Sequence, residues 1–115
     1  MRDESRSLVL HKQWQLRPGV SPDDVVALVQ QQVLPAYQRL SDDVTLGLEL
    51  SLDGTSVVAV QRWLSPEAQE AVVSSDSYSA WWADYQPALA EWDRLLAFVS
   101  EWNTVDVDLR GRDAT

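Results

Sequence analysis

Glu49 stands on the polar side of an alternating stretch, "VTLGLELSL", over residues 44–52. A carboxylate there acts as a general base if burial in an apolar cavity raises its pKa; otherwise it is a solvated or dimer-facing charge. Lys12 interrupts an apolar face in "LVLHKQWQL", residues 8–16. It either pairs with a carboxylate such as Glu49 or Glu101, or stabilises an enolate or phenolate. His11 is the sole histidine, and imidazole is the side chain that titrates near neutrality without perturbation; a lone strand histidine also serves structural ends. Trp63 closes the stretch "TSVVAVQRW" just where the helix start Ser65-Pro66-Glu67 takes over. Its ring fills a core or walls a place where a flat ligand sits. Gln61 and Arg62 adjoin it, and Arg62 either forms a salt bridge or holds an anion.

Composition narrows the chemistry. The 115 residues correspond to one domain, which buries roughly two thirds of its unfolded surface and leaves little room for an enclosed pocket. The absence of cysteine excludes disulfides, thiolate nucleophiles and cysteine-ligated metals, and fits a reducing cytoplasm. With one histidine, a histidine-based metal site or a Ser-His triad would rest on that single residue, His11. A net charge of −9 repels phosphate backbones, so nucleic acid is not an expected partner. The start "MRDESRSLVL" does not read as a secretion signal. No run approaches the roughly 20 apolar residues of a membrane span. Six tryptophans are a large stock of flat, amphipathic rings for so short a chain.

The elements that must position these residues follow from periodicity. Residues 8–16 read as a strand with Leu8, Leu10, Trp14 and Leu16 on one face. Ser21 caps a helix with Pro22 at its first position and Asp23 and Asp24 at its positive end. Pro35 should kink or interrupt that helix, because it lacks an N–H and crowds the carbonyl of Gln31. Val44, Leu46, Leu48, Leu50 and Leu52 form one face of a half-buried strand, and Asp53-Gly54 signals a hairpin into residues 55–63. The second helix begins at Ser65, breaks near "SSDS" and resumes at Tyr78. Tyr78, Trp81, Trp82, Tyr85, Leu89 and Trp92 then share one broad helical face, which is core or, in part, pocket wall. "LLAFVSEW" is the last strand. The domain spans residues 8–107, between a flexible N-terminus (1–7) and a polar C-terminal tail (108–115).

The order is strand, helix, strand, strand, helix, strand: a ferredoxin-like βαββαβ fold of the α+β class, with an antiparallel four-stranded sheet and the helices on one face. The other face is expected to carry Gly47, Glu49, Ala59, Gln61 and Trp63. Such a face asks for a partner, and a homodimer packed sheet to sheet is the expectation.

"DGTSVVAVQRWLSPEAQEAV" followed by "SSDSYSAWWADYQPAL" resembles the antibiotic biosynthesis monooxygenase family of dimeric α+β barrel proteins, in element order and length over residues 8 to about 107. The resemblance implies a ligand cavity between sheet and helices in each subunit, with Trp63 at its border. Haem-degrading members pair that tryptophan with an asparagine on the first strand and a histidine ligand on the second helix; Lys12 and Trp82 stand there in this chain. Polyketide-oxidising members carry an asparagine four residues before it, a tyrosine six after it and a histidine on the second strand; Ala59, Gln69 and Glu49 stand there. The function implied is a cofactor-independent monooxygenase acting with dioxygen on a flat aromatic or polyketide-like molecule. Trp14, Trp63, Tyr78 and Trp82 would form the walls, with Gln61 beside them. Glu49 or His11 would be the base, and Lys12 or Arg62 would hold the anion. A cyclase or isomerase uses the same base without oxygen. A dimer that binds a small molecule without turnover is the rival of a different class. No cofactor and no metal is expected.

Overall fold

The computed structural model describes residues 6–107 and Leu109. The segments 1–7 and 108–115 set apart in the sequence lie almost wholly outside the described residues. Strand β1 is Leu8–Leu16, as the alternation requires. The Ser21 hydroxyl accepts from the Asp24 N–H while the Asp24 carboxylate accepts from the Ser21 N–H. This reciprocal cap satisfies two otherwise orphaned donors and starts α1, Pro22–Leu28.

Pro35 then acts one turn early. Residues Val29–Val33 form a π-helical turn, and α2, Leu34–Leu40, follows with Pro35 in its first turn. The Leu34 N–H bonds back to the Val29 carbonyl, five residues away. The wider turn accommodates a residue that cannot donate and whose ring crowds the carbonyl four residues back. It also decides which side chains face inward: Val33 and Ala36 are buried while Gln32 is exposed.

Strand β2, Val44–Leu50, returns as β3, Ser56–Trp63. The loop between them is stapled by side chains rather than reduced to two residues. The Asp53 carboxylate accepts from the Ser51 and Thr55 hydroxyls and the Thr55 N–H. Those bonds, led by the one from Ser51, hold its pKa below the usual carboxylate range. Gly54, at φ +74°, supplies the left-handed residue. Leu52 is therefore fully exposed in the turn instead of extending the strand.

Helix α3, Pro66–Val73, is capped by Ser65, and α4, Asp76–Leu95, follows. Strand β4, Leu96–Val105, completes a four-stranded sheet in the order β2-β3-β1-β4, antiparallel throughout. This is the ferredoxin-like βαββαβ arrangement. The core joins Val25, Leu28, Val33 and Ala36 to Tyr85, Ala88, Trp92 and Leu95, with Val57 and Leu96 from the sheet.

One expectation about the sheet is corrected. Leu46 lies opposite Gln61, Leu48 opposite Ala59 and Val44 opposite Trp63. Directly opposed residues of an antiparallel pair point to the same face. Ala59, Gln61 and Trp63 therefore share the helix-covered face with the leucines of β2. The opposite face carries Gly47 and Glu49 with Val58, Val60 and Arg62.

Candidate functional site

A cavity of about 110 Å3 lies between the sheet and the helices. Its floor is Leu10, Lys12 and Trp14 of β1, Leu46 and Leu48 of β2, and Ala59 and Gln61 of β3. Val29, Val33 and Tyr37 close it from one helical segment, and Trp82, Tyr85, Leu89 and Trp92 close it from α4. Alternation on the strands and 3.6-residue spacing on α4 bring these residues together.

Four of the residues expected to do chemistry or bind ligand meet here: Lys12, Trp14, Gln61 and Trp82. Glu49 and His11 do not. Glu49 pairs with Val58 in the β2–β3 ladder. His11 pairs with Val60, stacks on Trp102 at 5.0 Å and shares a hydrogen bond of 2.9 Å with Thr104. Both side chains belong to the other face of the sheet, because strand neighbours alternate. Arg62 is on that face as well, in an ion pair with Asp106. A base drawn from Glu49 or His11, or an anion clamp from Arg62, is not positioned to act in this cavity.

Trp63 is 2% exposed and lies behind the cavity wall. Its indole N–H donates to the Gln61 carbonyl oxygen at 2.9 Å, and the Gln61 amide donates to the Tyr37 hydroxyl at 3.0 Å. The tryptophan thus orients Gln61. Tyr78 stacks on Trp81 and Trp82, with ring centroids 5.7 and 6.4 Å away. Trp81 stacks on Tyr85 at 4.9 Å and donates to the Ala36 carbonyl at 2.7 Å, tying α4 to α2. Much of the aromatic stripe is therefore packing between helices, while Trp82, Tyr85 and Trp92 reach the cavity.

Tyr37 had no role in the sequence reading. Burial pushes its phenol well above the ordinary tyrosine value, reinforced by the nearby Tyr85 and Tyr78 phenols. Burial also raises Tyr85. Both remain protonated at neutral pH, as hydrogen-bonding groups rather than bases. A signal for Tyr37 existed in its position four residues after Val33.

Among the described residues, Lys12 is the one charged residue lining the cavity. Its ammonium lies 3.9 Å from Glu101, and both side chains are about half exposed. Such a pair is weak and readily rearranged. The Trp14 indole nitrogen is buried, with no hydrogen-bond partner among the described residues. Among the described residues no cluster of histidine, cysteine and carboxylate side chains could hold a metal ion.

No protein-family model and no curated protein matches the sequence. Solved structures do match. SnoaB of Streptomyces nogalater, described as a cofactor-independent oxygenase, superposes with a TM-score of 0.65 at 10% identity, over 93% of this chain and 99% of that one. A candidate antibiotic biosynthesis monooxygenase of Chloroflexus aurantiacus J-10-fl gives 0.59 at 19% identity, over 91% and 97%. The fold is that of antibiotic biosynthesis monooxygenase structures. The protein Rv0793 of Mycobacterium tuberculosis also matches, with a TM-score of 0.50 at 21% identity, covering 92% of this chain and 98% of that one. The resemblance, carried by the stretches within residues 53–89, thus holds at the level of the fold.

Proposed function

We propose that this protein is a small cofactor-independent oxygenase acting on a flat aromatic or polyketide-type molecule in the cavity between sheet and helices. The observation that carries the reading is the cavity itself: apolar and aromatic walls, with Lys12 on its lining. The oxygenase fold supports it.

The chemistry asks little of the protein. An activated CH2, flanked by groups that delocalise charge, loses a proton to solvent and leaves an enolate or phenolate. Lys12 stabilises that anion as charge develops. The anion passes one electron to dioxygen, the two radicals join in a C–O bond, and the hydroperoxide loses water to give a ketone. One oxygen atom enters the product and the other leaves as water, so the substrate supplies every electron. The apolar walls keep water from the radical pair.

Among the described residues, the lining holds no carboxylate and no histidine. That favours substrates acidic enough to ionise without a strong base. It is also the observation that supports the rival reading of a binding protein without turnover, and it weighs against a cyclase or isomerase, which needs a positioned base. Isotopically labelled dioxygen separates them: one labelled atom in product and one in water is expected, and no incorporation from any enolisable aromatic would refute the oxygenase.

The reading includes a homodimer. The sheet face away from the helices carries Val58 and Val60 beside Trp102, which is 41% exposed, and a second copy would cover it. A cytoplasmic setting fits the cysteine-free sequence. No helix among the described residues is long and apolar enough to cross a membrane.

A further inference from the structure

We infer that the paired phenols of Tyr37 and Tyr85 hold the oxygen of the cavity's ligand, as neutral hydrogen-bond donors aimed by Trp63 through Gln61. The ligand class that fits is a flat molecule with a carbonyl or enolate oxygen on its ring system, not a plain hydrocarbon. The inference rests on the cavity being the binding site proposed above, and names what recognises the substrate there.

One group sets the direction of every bond in the relay. An indole N–H donates and accepts nothing. The Trp63 N–H, 2.9 Å from the Gln61 amide, therefore takes its carbonyl oxygen. The amide nitrogen is thereby turned to the Tyr37 hydroxyl at 3.0 Å. That nitrogen only donates, so the Tyr37 oxygen accepts, and the Tyr37 proton is left for another acceptor. Flipping the amide would set its NH2 against the Trp63 N–H, and a buried donor left unpaired is costly. Trp63 is 2% exposed, so water does not replace the first link.

The relay ends at the cavity. Gln61 stands on the sheet floor and Tyr37 on the helical wall, so the bond between them joins floor to wall and brings the phenol oxygen to the cavity's edge. Tyr37 keeps part of its surface open, unlike the sealed nitrogen of Trp14. Tyr85 of α4 lines the same cavity, its ring 5.6 Å from that of Tyr37 and at 88° to it. Two phenol protons thus meet at one place. A bond between the two hydroxyls uses one proton and leaves the other for a ligand. Burial raises the pKa of both phenols, so both protons stay in place at neutral pH. Donors of fixed direction set in apolar walls orient a ligand, and they stabilise charge that develops on its oxygen.

The test is anaerobic binding of 1-indanone, a flat bicyclic ketone, beside indane, the hydrocarbon of the same shape. In the wild-type complex the infrared carbonyl stretch of 1-indanone should lie below its value in an alkane solvent. The double variant Tyr37→Phe/Tyr85→Phe keeps both rings and removes both protons. It should weaken 1-indanone by roughly threefold to tenfold, the loss expected for one neutral hydrogen bond, restore the stretch, and leave indane unchanged. Gln61→Glu tests the direction of the relay with both phenols present. Its ionised carboxylate accepts from Tyr37, which then accepts from Tyr85, so both protons are consumed and 1-indanone should weaken by a similar factor. The wild-type stretch alone decides if the double variant does not fold. No binding of 1-indanone, an unshifted stretch in the wild-type complex, or equal ketone affinity in the double variant would overturn the inference. A lowered stretch that the double variant restores, with no oxygen uptake from oxidisable aromatics, would remove the oxygenase reading and leave this one. Oxygen uptake that the double variant leaves untouched would do the reverse.

Discussion

Gln61→Leu is the most informative single substitution in the wall of the cavity. Gln61 joins two buried groups, the Trp63 indole at 2.9 Å and the Tyr37 hydroxyl at 3.0 Å. Leucine is close in size, so packing changes little. The Trp63 N–H, on a residue only 2% exposed, would be left with no acceptor and no route to water, at a cost of about 1–3 kcal/mol. Losing the bond to Tyr37 adds about 0.5–1.5 kcal/mol. The sum is about 1.5–4.5 kcal/mol, which in a domain of this size lowers Tm by roughly 10 °C. Urea unfolding and calorimetry read both numbers. Trp63→Phe in the Gln61→Leu background removes the stranded donor, so the two substitutions should couple by about 1 kcal/mol or more. Stability within about 0.5 kcal/mol of wild type, or strict additivity, would refute the relay.

Raised phenol pKa values in the folded state mean that the native protein holds those protons more tightly than the unfolded chain. The stability they confer is full below the unfolded value near pH 10 and is lost as pH rises beyond it, at about 1.4 kcal/mol per pH unit for one group; alkaline unfolding of Tyr37→Phe should fall less steeply than that of wild type. Sedimentation should show a dimer at micromolar concentration, and Val60→Glu, which places a charge on the face away from the helices, should give a folded monomer; a wild-type monomer would contradict the sheet-to-sheet pairing. Haem titration should give no sharp, stoichiometric Soret shift. Trp82 stands where the resemblance puts a histidine ligand, and its indole cannot bind iron; loss of a stoichiometric Soret band with reductant and oxygen would refute this.

The fold was legible because its local signals agree. Strand alternation, two serine caps and the Asp53-Gly54 turn point to the same βαββαβ order. The cavity was legible in part. Trp14 and Lys12 share a strand face, so period-two counting places them together, and Trp82 follows from helical spacing. Glu49, His11 and Arg62 were placed by residue type, and the pleat turns all three to the other face. Trp63 and Gln61 were assigned to the uncovered side, although the hairpin register that Asp53-Gly54 implies pairs them with Val44 and Leu46. Tyr37 escaped notice because the helical count stopped at Val33 and Pro35, although Tyr37 follows Val33 by four residues. The burial of the Trp14 nitrogen, with no partner among the described residues, is a property of tertiary packing alone.

The central claim is that this cavity consumes dioxygen by itself. An oxygen electrode with the chelator-treated wild-type protein and a panel of flat aromatic, enolisable or phenolic substrates tests it most directly, beside Ala59→Phe, in which a phenyl ring rises from the cavity floor between Lys12 and Leu48. The account predicts uptake of one dioxygen per substrate converted, lost at least about tenfold when the new side chain fills the space that holds the reacting ring. No uptake across the panel, or uptake that Ala59→Phe leaves untouched, would contradict it.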